Sequence, residues 1–296
     1  MNKGYLTAAY TNPLYLEQVV TLVLSFRLKG DETPFSLVTD EKLNKLLHVK
    51  GYEKWFDKVS ILGSDKLYQF IGKLHSALQS PYEDTTYFDS DCLLVRRHST
   101  INLGLDTIPF CVAGESVLEG MYAGFDLKPW LAHNHIDYIP IFNAGVFRFV
   151  GEGKKIVEQA LAIMHQAEKY KLPKADGGLN EQVALGIAMA QNALQPQRTD
   201  KDIHYSFFNA NSQLSLDLFD GQCRFQKEGV WREPLIFHYT PLFQAGYYYS
   251  QSRKVLMQEV NKLRQHFGLD GTEFLKPSLR DKLALLRRGR YPFDSR

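Results

Sequence analysis

The sequence predicts a doubly wound α/β fold, in which a sheet of largely parallel strands carries helices on both faces. Three observations lead there. Short runs rich in β-branched and aromatic residues alternate with stretches of helical periodicity up to Asp91. The runs are punctuated by turn residues, and the βαβαβ order of the opening favours a parallel sheet. The composition, 44% hydrophobic and 23% charged, is that of a soluble globular chain able to bury such a sheet.

The elements follow in order. Residues 4–10 read as the first strand, closed by Thr11, Asn12 and Pro13. Leu16, Val19, Val20, Val23 and Leu24 recur at helical spacing, and residues 35–38 form a second strand that ends in Thr39 and Asp40. A helical piece over 42–47 leads to a third strand over 58–62. In sheets opening βαβαβ, ligands lie beyond the carboxyl ends of the strands, so Tyr10-Thr11-Asn12 and Thr39-Asp40 are candidate site loops. A helix over 67–78 stops ahead of Pro81, and a fourth strand over 85–88 runs into Asp89-Ser90-Asp91. Residues 109–112 and 139–150 read as strands, with irregular structure expected over 114–137. Helices are expected over 155–170 and 181–191, the second opening after Asp176-Gly177-Gly178-Leu179 with Asn180 as its N-cap. With no internal repeat and no flexible linker, one α/β domain is expected over residues 1–250, followed by a basic helical extension over 251–296.

Several classes of function are excluded early. The 35 Lys and Arg against 33 Asp and Glu leave a formal net charge of +2, which argues against a nucleic acid partner. Cys92, Cys111 and Cys223 share no close spacing, so the cysteines alone build neither a disulfide framework nor a zinc cluster. The apolar stretch over 14–28 is broken by Glu17, Gln18 and Arg27. Neither a membrane span nor a cleavable signal is expected, and the expected location is cytoplasmic. Dinucleotide, P-loop, Gly-x-Ser-x-Gly and His-Glu-x-x-His patterns are all missing from the sequence.

The sharpest chemical feature is Asp89-Ser90-Asp91. Carboxylates two apart in an extended segment project to one side, where they can share a divalent cation. Such an ion can neutralise the charge on a departing diphosphate. An Asp-x-Asp also arises in capped turns and solvated loops, but here it closes an apolar strand where binding sites are expected. His238, at the end of Leu235-Ile236-Phe237, could add an imidazole to the same ion; a lone histidine at a strand end also serves as a packed core residue. His133 and His135 have strand-like spacing, yet Trp130, Asn134 and Asp137 around them suggest a loop. The Asn143-Ala144-Gly145 break in a strand pattern marks either a bulge or the close approach of a ligand. Glu181 and Gln182 open a helix, where they face a polar ligand or simply serve as a polar first turn. Lys73 could pair with the aspartates or with a phosphate.

In this order and spacing the pieces resemble the GT-A glycosyltransferases, and are most similar to the glycogenin-like and bacterial galactosyltransferase-like family eight. The resemblance covers residues 4–245 through Ala8-Ala9-Tyr10-Thr11, Leu37-Val38-Thr39-Asp40, Lys73-Leu74, Tyr87 to Asp91, Phe142 to Val146, Leu179 to Gln182 and Phe237-His238-Tyr239. It implies a mixed, Rossmann-like sheet flanked by helices. It implies, further, the metal-dependent transfer of a sugar from a nucleoside-diphosphate sugar, a UDP-sugar, to a hydroxyl of a glycan, lipid or protein, with retention of configuration. By this resemblance Asp89, Asp91 and His238 hold manganese or magnesium. Ala8, Tyr10, Thr11, Asp40, Lys73, Ser90 and Gly145 contact the donor, and Glu181, Gln182 and Asn143 are the catalytic groups around sugar and acceptor. The family usually follows its histidine with a Gly and then Lys-Pro-Trp. This chain has Thr240-Pro241-Leu242-Phe243 and reaches Gly246 only later, so the phosphate-contacting lysine is unassigned.

Two other readings of function are a sugar nucleotidyltransferase, which wants a Gly-rich basic loop that Ala8 to Pro13 lacks, and a silent carbohydrate-binding protein. The last 26 residues carry seven basic against three acidic side chains, with Leu279, Leu283 and Leu286 at helical spacing. That pattern fits either a peripheral contact with the inner membrane face or a helix docked on the domain.

Overall fold

The computed structural model describes residues 2–66, 70–96, 109–122, 125–175, 178–197, 203–207, 210, 212–239 and 250–270. The first strands and helices are β1 (Lys3–Ala9), α1 (Pro13–Leu28), β2 (Phe35–Thr39), α2 (Glu41–Val49), β3 (Lys58–Ile61), α3 (Ile71–Ala77), β4 (Asp84–Phe88) and β5 (Cys92–Leu94). Next come β6 (Phe110–Cys111), β7 (Gly114–Val117), β8 (Met121–Tyr122), β9 (Phe125–Asp126), α4 (Leu127–Asn134), β10 (Ile139–Phe142), β11 (Val146–Val150) and α5 (Lys154–His165). The last are β12 (Lys174–Ala175), β13 (Gly178–Leu179), α6 (Glu181–Gln191), β14 (His204–Ser206), β15 (Ser215–Asp217), β16 (Gln222–Lys227), β17 (Val230–Arg232), β18 (Ile236–His238) and α7 (Ser250–His266). They divide into two compact units, one of Met1–Pro13, Thr33–Asp89 and Thr100–Asp200, the other of Leu14–Glu32, Ser90–Ser99 and Lys201–Arg296.

The first unit is built on a six-stranded sheet in the order β3-β2-β1-β4-β11-β6. From β3 to β4 the strands run parallel, whereas β11 is antiparallel to both β4 and β6. The alternating pattern predicts parallel strands and says nothing of this antiparallel edge, so the sheet is mixed. Every residue of β2 and β4 is buried, which is why neither shows the apolar–polar alternation of a half-exposed strand. Tyr87 and Phe147 stack across the β4–β11 register at 4.8 Å. Beneath them the carboxylate of Asp84 takes both Nε and Nη2 of Arg148, at 2.6 and 2.8 Å. Because β2 lies on one side of β1 and β4 on the other, the winding reverses at β1, and the carboxyl ends of β1 and β4 flank the crevice that such a reversal opens.

Several expectations need correction within this unit. Residues 139–150 are not one strand. β10 pairs with β7 in a separate two-stranded sheet while β11 pairs with β4, so 143–145 is the crossing between two sheets rather than a bulge. Residues 114–137 are not irregular either: they hold β7, the β8–β9 hairpin and α4. His133 lies on α4 and not in a loop, with Nε2 2.9 Å from the Lys169 carbonyl, and His135 closes the helix at φ 54°. The helix expected over 155–170 ends at His165.

The second unit holds α1, two three-stranded sheets ordered β14-β18-β5 and β15-β16-β17, and α7. Helix α1 is buried from Leu16 to Phe26, including the polar Glu17 and Gln18. Arg264 of α7 satisfies Glu17 at 2.9 Å, and its other guanidinium nitrogens reach Thr21 Oγ1 and the Asp270 carbonyl. Ser252 and Glu259 of α7 accept the backbone N–H groups of Leu214 and Leu218. The basic tail over 271–296 lies outside the described residues. Among the described residues no helix is long and apolar enough to cross a membrane.

Candidate functional site

At the carboxyl end of β1, Thr11 adopts φ 67°, a left-handed conformation that a β-branched side chain rarely takes. Asp40 holds it there. One oxygen of that carboxylate accepts the Thr11 N–H at 2.5 Å, and the other caps α2 by accepting the Leu43 N–H at 2.7 Å. Tyr10 packs against the core, and its hydroxyl lies so close to Gly72 that a Cβ there would stand 2.8 Å from it. Ala8 is 8% exposed and belongs to the core cluster. The ends of β1 and β2 are thus locked to each other before any ligand arrives.

At the end of β4, Lys73 reaches across from α3. Its Nζ is 2.9 Å from Asp89 Oδ2, 2.8 Å from Glu181 Oε1 and 3.4 Å from the Ala144 carbonyl. Burial works against the charge, but Asp89 and then Glu181 outweigh it, and the ammonium is held above the ordinary lysine range. One ammonium thus bridges two carboxylates carried by different elements.

The crossing at 143–145 belongs to the same cluster. The Gly145 N–H donates to Asn143 Oδ1 at 2.8 Å, and the Gly145 carbonyl accepts the Asp89 N–H at 2.8 Å, so the turn holds the Asp89 backbone in place. Asn180 caps α6 by accepting the N–H groups of Gln182 and Val183. That cap aims Gln182 at the crossing: its Oε1 accepts the Ala144 N–H at 3.2 Å, and its Nε2 donates to the Tyr122 hydroxyl at 3.0 Å. Lys73, Asp89, Asn143, Gly145, Glu181 and Gln182 are therefore brought together within the first unit. Tyr122 is a member that sequence reasoning missed, because a lone tyrosine in a stretch expected to be irregular gives no signal.

In the second unit Ser90 donates to Gln18 Oε1 at 3.0 Å. The antiparallel register of β18 on β5 sets His238 opposite Cys92, next to Asp91, whose carbonyl accepts the Tyr239 N–H at 3.0 Å. His238 Nε2 stands 3.0 Å from Asp91 Oδ1, and only 6% of the histidine is exposed. A nitrogen and an oxygen bound cis to one ion at about 2.1 Å each lie about 3 Å apart, so the pair has the spacing of two ligands of a small divalent cation. An imidazole with carboxylates suits manganese, and Asp89 precedes Asp91 by two residues.

No family model and no curated sequence matches the chain. Solved structures do. The galactosyltransferase LgtC in complex with donor and acceptor sugar analogs aligns with a TM-score of 0.52 at 12% identity, covering 95% of this chain and 100% of that one. The fold is the GT-A fold. An active-site mutant of LgtC gives the same TM-score, identity and coverage. The glycosyltransferase GlyE of Streptococcus pneumoniae TIGR4 aligns over 68% of this chain and 45% of its own at 14% identity, with a TM-score of 0.43. The mixed sheet, the reversal at β1 and the carboxyl end of β4 place these residues.

Proposed function

We propose that this chain is a glycosyltransferase that moves a sugar from a nucleoside-diphosphate sugar, a UDP-sugar, to a hydroxyl acceptor, with retention of configuration and with a divalent metal. The observation that carries this reading is the acidic end of β4 on a GT-A sheet. Asp89 is held by Lys73 and by the Gly145 backbone, and two residues later Asp91 pairs with His238 at 3.0 Å.

Asp89, Asp91 and His238 would hold the ion, manganese or magnesium, which when bound would neutralise the negative charge of the leaving diphosphate. The chain's own groups do the rest. The Asp40–Thr11 lock presents the backbone at the end of β1 as a rigid wall for the nucleotide. Lys73 ties Glu181 and Asp89 together and fixes their side chains. Gln182, anchored at both ends of its amide, stands with Asn143 at the sugar, where a group set in advance costs no reorganisation in the transition state. The acceptor is a glycan, lipid or protein hydroxyl.

Asp91→Ala tests the assignment. Manganese-stimulated donor turnover should vanish while the far-ultraviolet dichroism spectrum stays that of the parent. Unchanged manganese-stimulated turnover in the variant would remove Asp91 from the site and the metal reading with it.

A further inference from the structure

The register that sets His238 beside Asp91 also gathers a second, softer set of donors within the same sheet. β18 lies between β5 and β14, so three adjacent strands deliver Cys92, His238 and His204. Cys92 Sγ is 3.9 Å from His204 Nε2. The rings of His204 and His238 lie 5.4 Å apart between centroids, with their planes 19° from parallel. One donor atom from each of the three residues lies within 4.8 Å of the other two. Cys92 and His238 are buried and His204 is half-buried.

A thiolate with two imidazoles is a donor set for zinc, which prefers sulfur and nitrogen, whereas the Asp91 side offers oxygen to a harder ion. Three protein ligands leave the fourth tetrahedral position to water. We propose that Cys92, His204 and His238 form a zinc site that shares His238 with the pair formed by Asp91. On binding, the thiol proton passes to solvent and a zinc–sulfur bond forms, with no change in oxidation state. The consequence rests on the function proposed above: a neutral imidazole has one lone pair to give, so zinc bound on the sulfur side takes His238 from the catalytic metal and inhibits transfer.

Cobalt(II) added to the full-length protein tests the site without any substrate. One equivalent should give the near-ultraviolet thiolate-to-cobalt charge-transfer band and the intense visible bands of a tetrahedral ion, and zinc should displace both. Cys92→Ser should abolish the charge-transfer band. His204→Gln should weaken cobalt binding at least about tenfold, since even residues that only support a metal ligand are worth that much. Cys111→Ser and Cys223→Ser should leave the band unchanged. Absence of the band in folded wild-type protein, or its survival in Cys92→Ser, would overturn the proposal. The inhibitory consequence is read separately: zinc should suppress manganese-dependent binding of a UDP-sugar in the wild type and not in Cys92→Ser, and equal suppression in both would overturn it. If the cobalt spectrum appears as expected and no nucleotide sugar binds, the zinc site stands and the transferase reading falls.

Discussion

Replacing Lys73 by Met removes a cation that Asp89 and Glu181 share and leaves the alkyl stem in place. The side chains of Lys73, Asp89 and Glu181 are 10%, 18% and 8% exposed, so water can do little to screen the two carboxylates left behind. Removing one partner of a buried ion pair costs about 3–5 kcal/mol, and here the lysine bridges two carboxylates at once, which puts the loss toward the upper end. Protonating or removing one anion should relieve part of it: Lys73→Met/Glu181→Gln should be at least about 1 kcal/mol more stable than Lys73→Met. Equilibrium unfolding in urea, followed by dichroism and fluorescence together, measures both differences. The dependence on pH follows from the direction of the lysine shift. A pKa raised in the folded state contributes stability that is complete below the unfolded value of about 10.4 and disappears only above it. The lysine's share of the penalty should therefore be constant from about pH 7 to pH 9. A loss below about 1 kcal/mol, or a double variant no more stable than the single, would show that the three groups do not form a buried, coupled cluster.

Arg148→Leu should cost about 3–5 kcal/mol in the same unfolding assay by stranding Asp84 in the sheet, and Arg148→Leu/Asp84→Leu should recover much of it. Asp40→Ala removes both the α2 cap and the bond to the strained Thr11; it should cost about 1–2 kcal/mol and weaken nucleotide binding measured by calorimetry. Gln182→Ala should lower kcat far more than it changes donor affinity, while Tyr122→Phe, which keeps the ring and loses only the hydroxyl that Gln182 donates to, should lower kcat to a smaller degree. Equal losses of kcat and donor affinity in Gln182→Ala would place that side chain at the nucleotide instead of the reacting sugar.

The strands over 35–38 and 85–88 were legible because a strand covered on both faces favours β-branched, aromatic and aliphatic residues, which make up most of both runs, whereas the half-exposed third strand was legible from its turn-bounded position after a helical piece. The α6 start was equally legible, since Asn180 announces its cap. Beyond the fourth strand local patterning lost its grip. The strands β7, β8 and β9 are two to four residues long, shorter than any period can register, and residues 114–137 consequently read as irregular. The split of 139–150 into strands of two different sheets is decided by partners far away in the chain, which a continuous apolar run does not reveal. The site residues divide the same way. Asp89 and Asp91 were found from spacing at a strand end, Lys73 from its place on the preceding helix, and Glu181 and Gln182 from their place at a helix start. The three-way contact of Lys73 with Asp89 and Glu181, and the gathering of Cys92 and His204 around His238, arise from strand register and helix packing and leave no mark at short range.

The central claim is that this GT-A chain recognises a nucleoside-diphosphate sugar through a divalent metal. A thermal-shift titration of the intact protein with UDP-sugars, in the presence and absence of manganese, tests it most directly. At a ligand concentration 100 times Kd, binding to the native state stabilises it by about 2.7 kcal/mol. The account predicts a concentration-dependent rise in Tm that needs both manganese and the nucleotide sugar and is lost in Asp91→Ala. An unmoved Tm with every nucleotide sugar, or an equal rise after chelation of the metal, would contradict it.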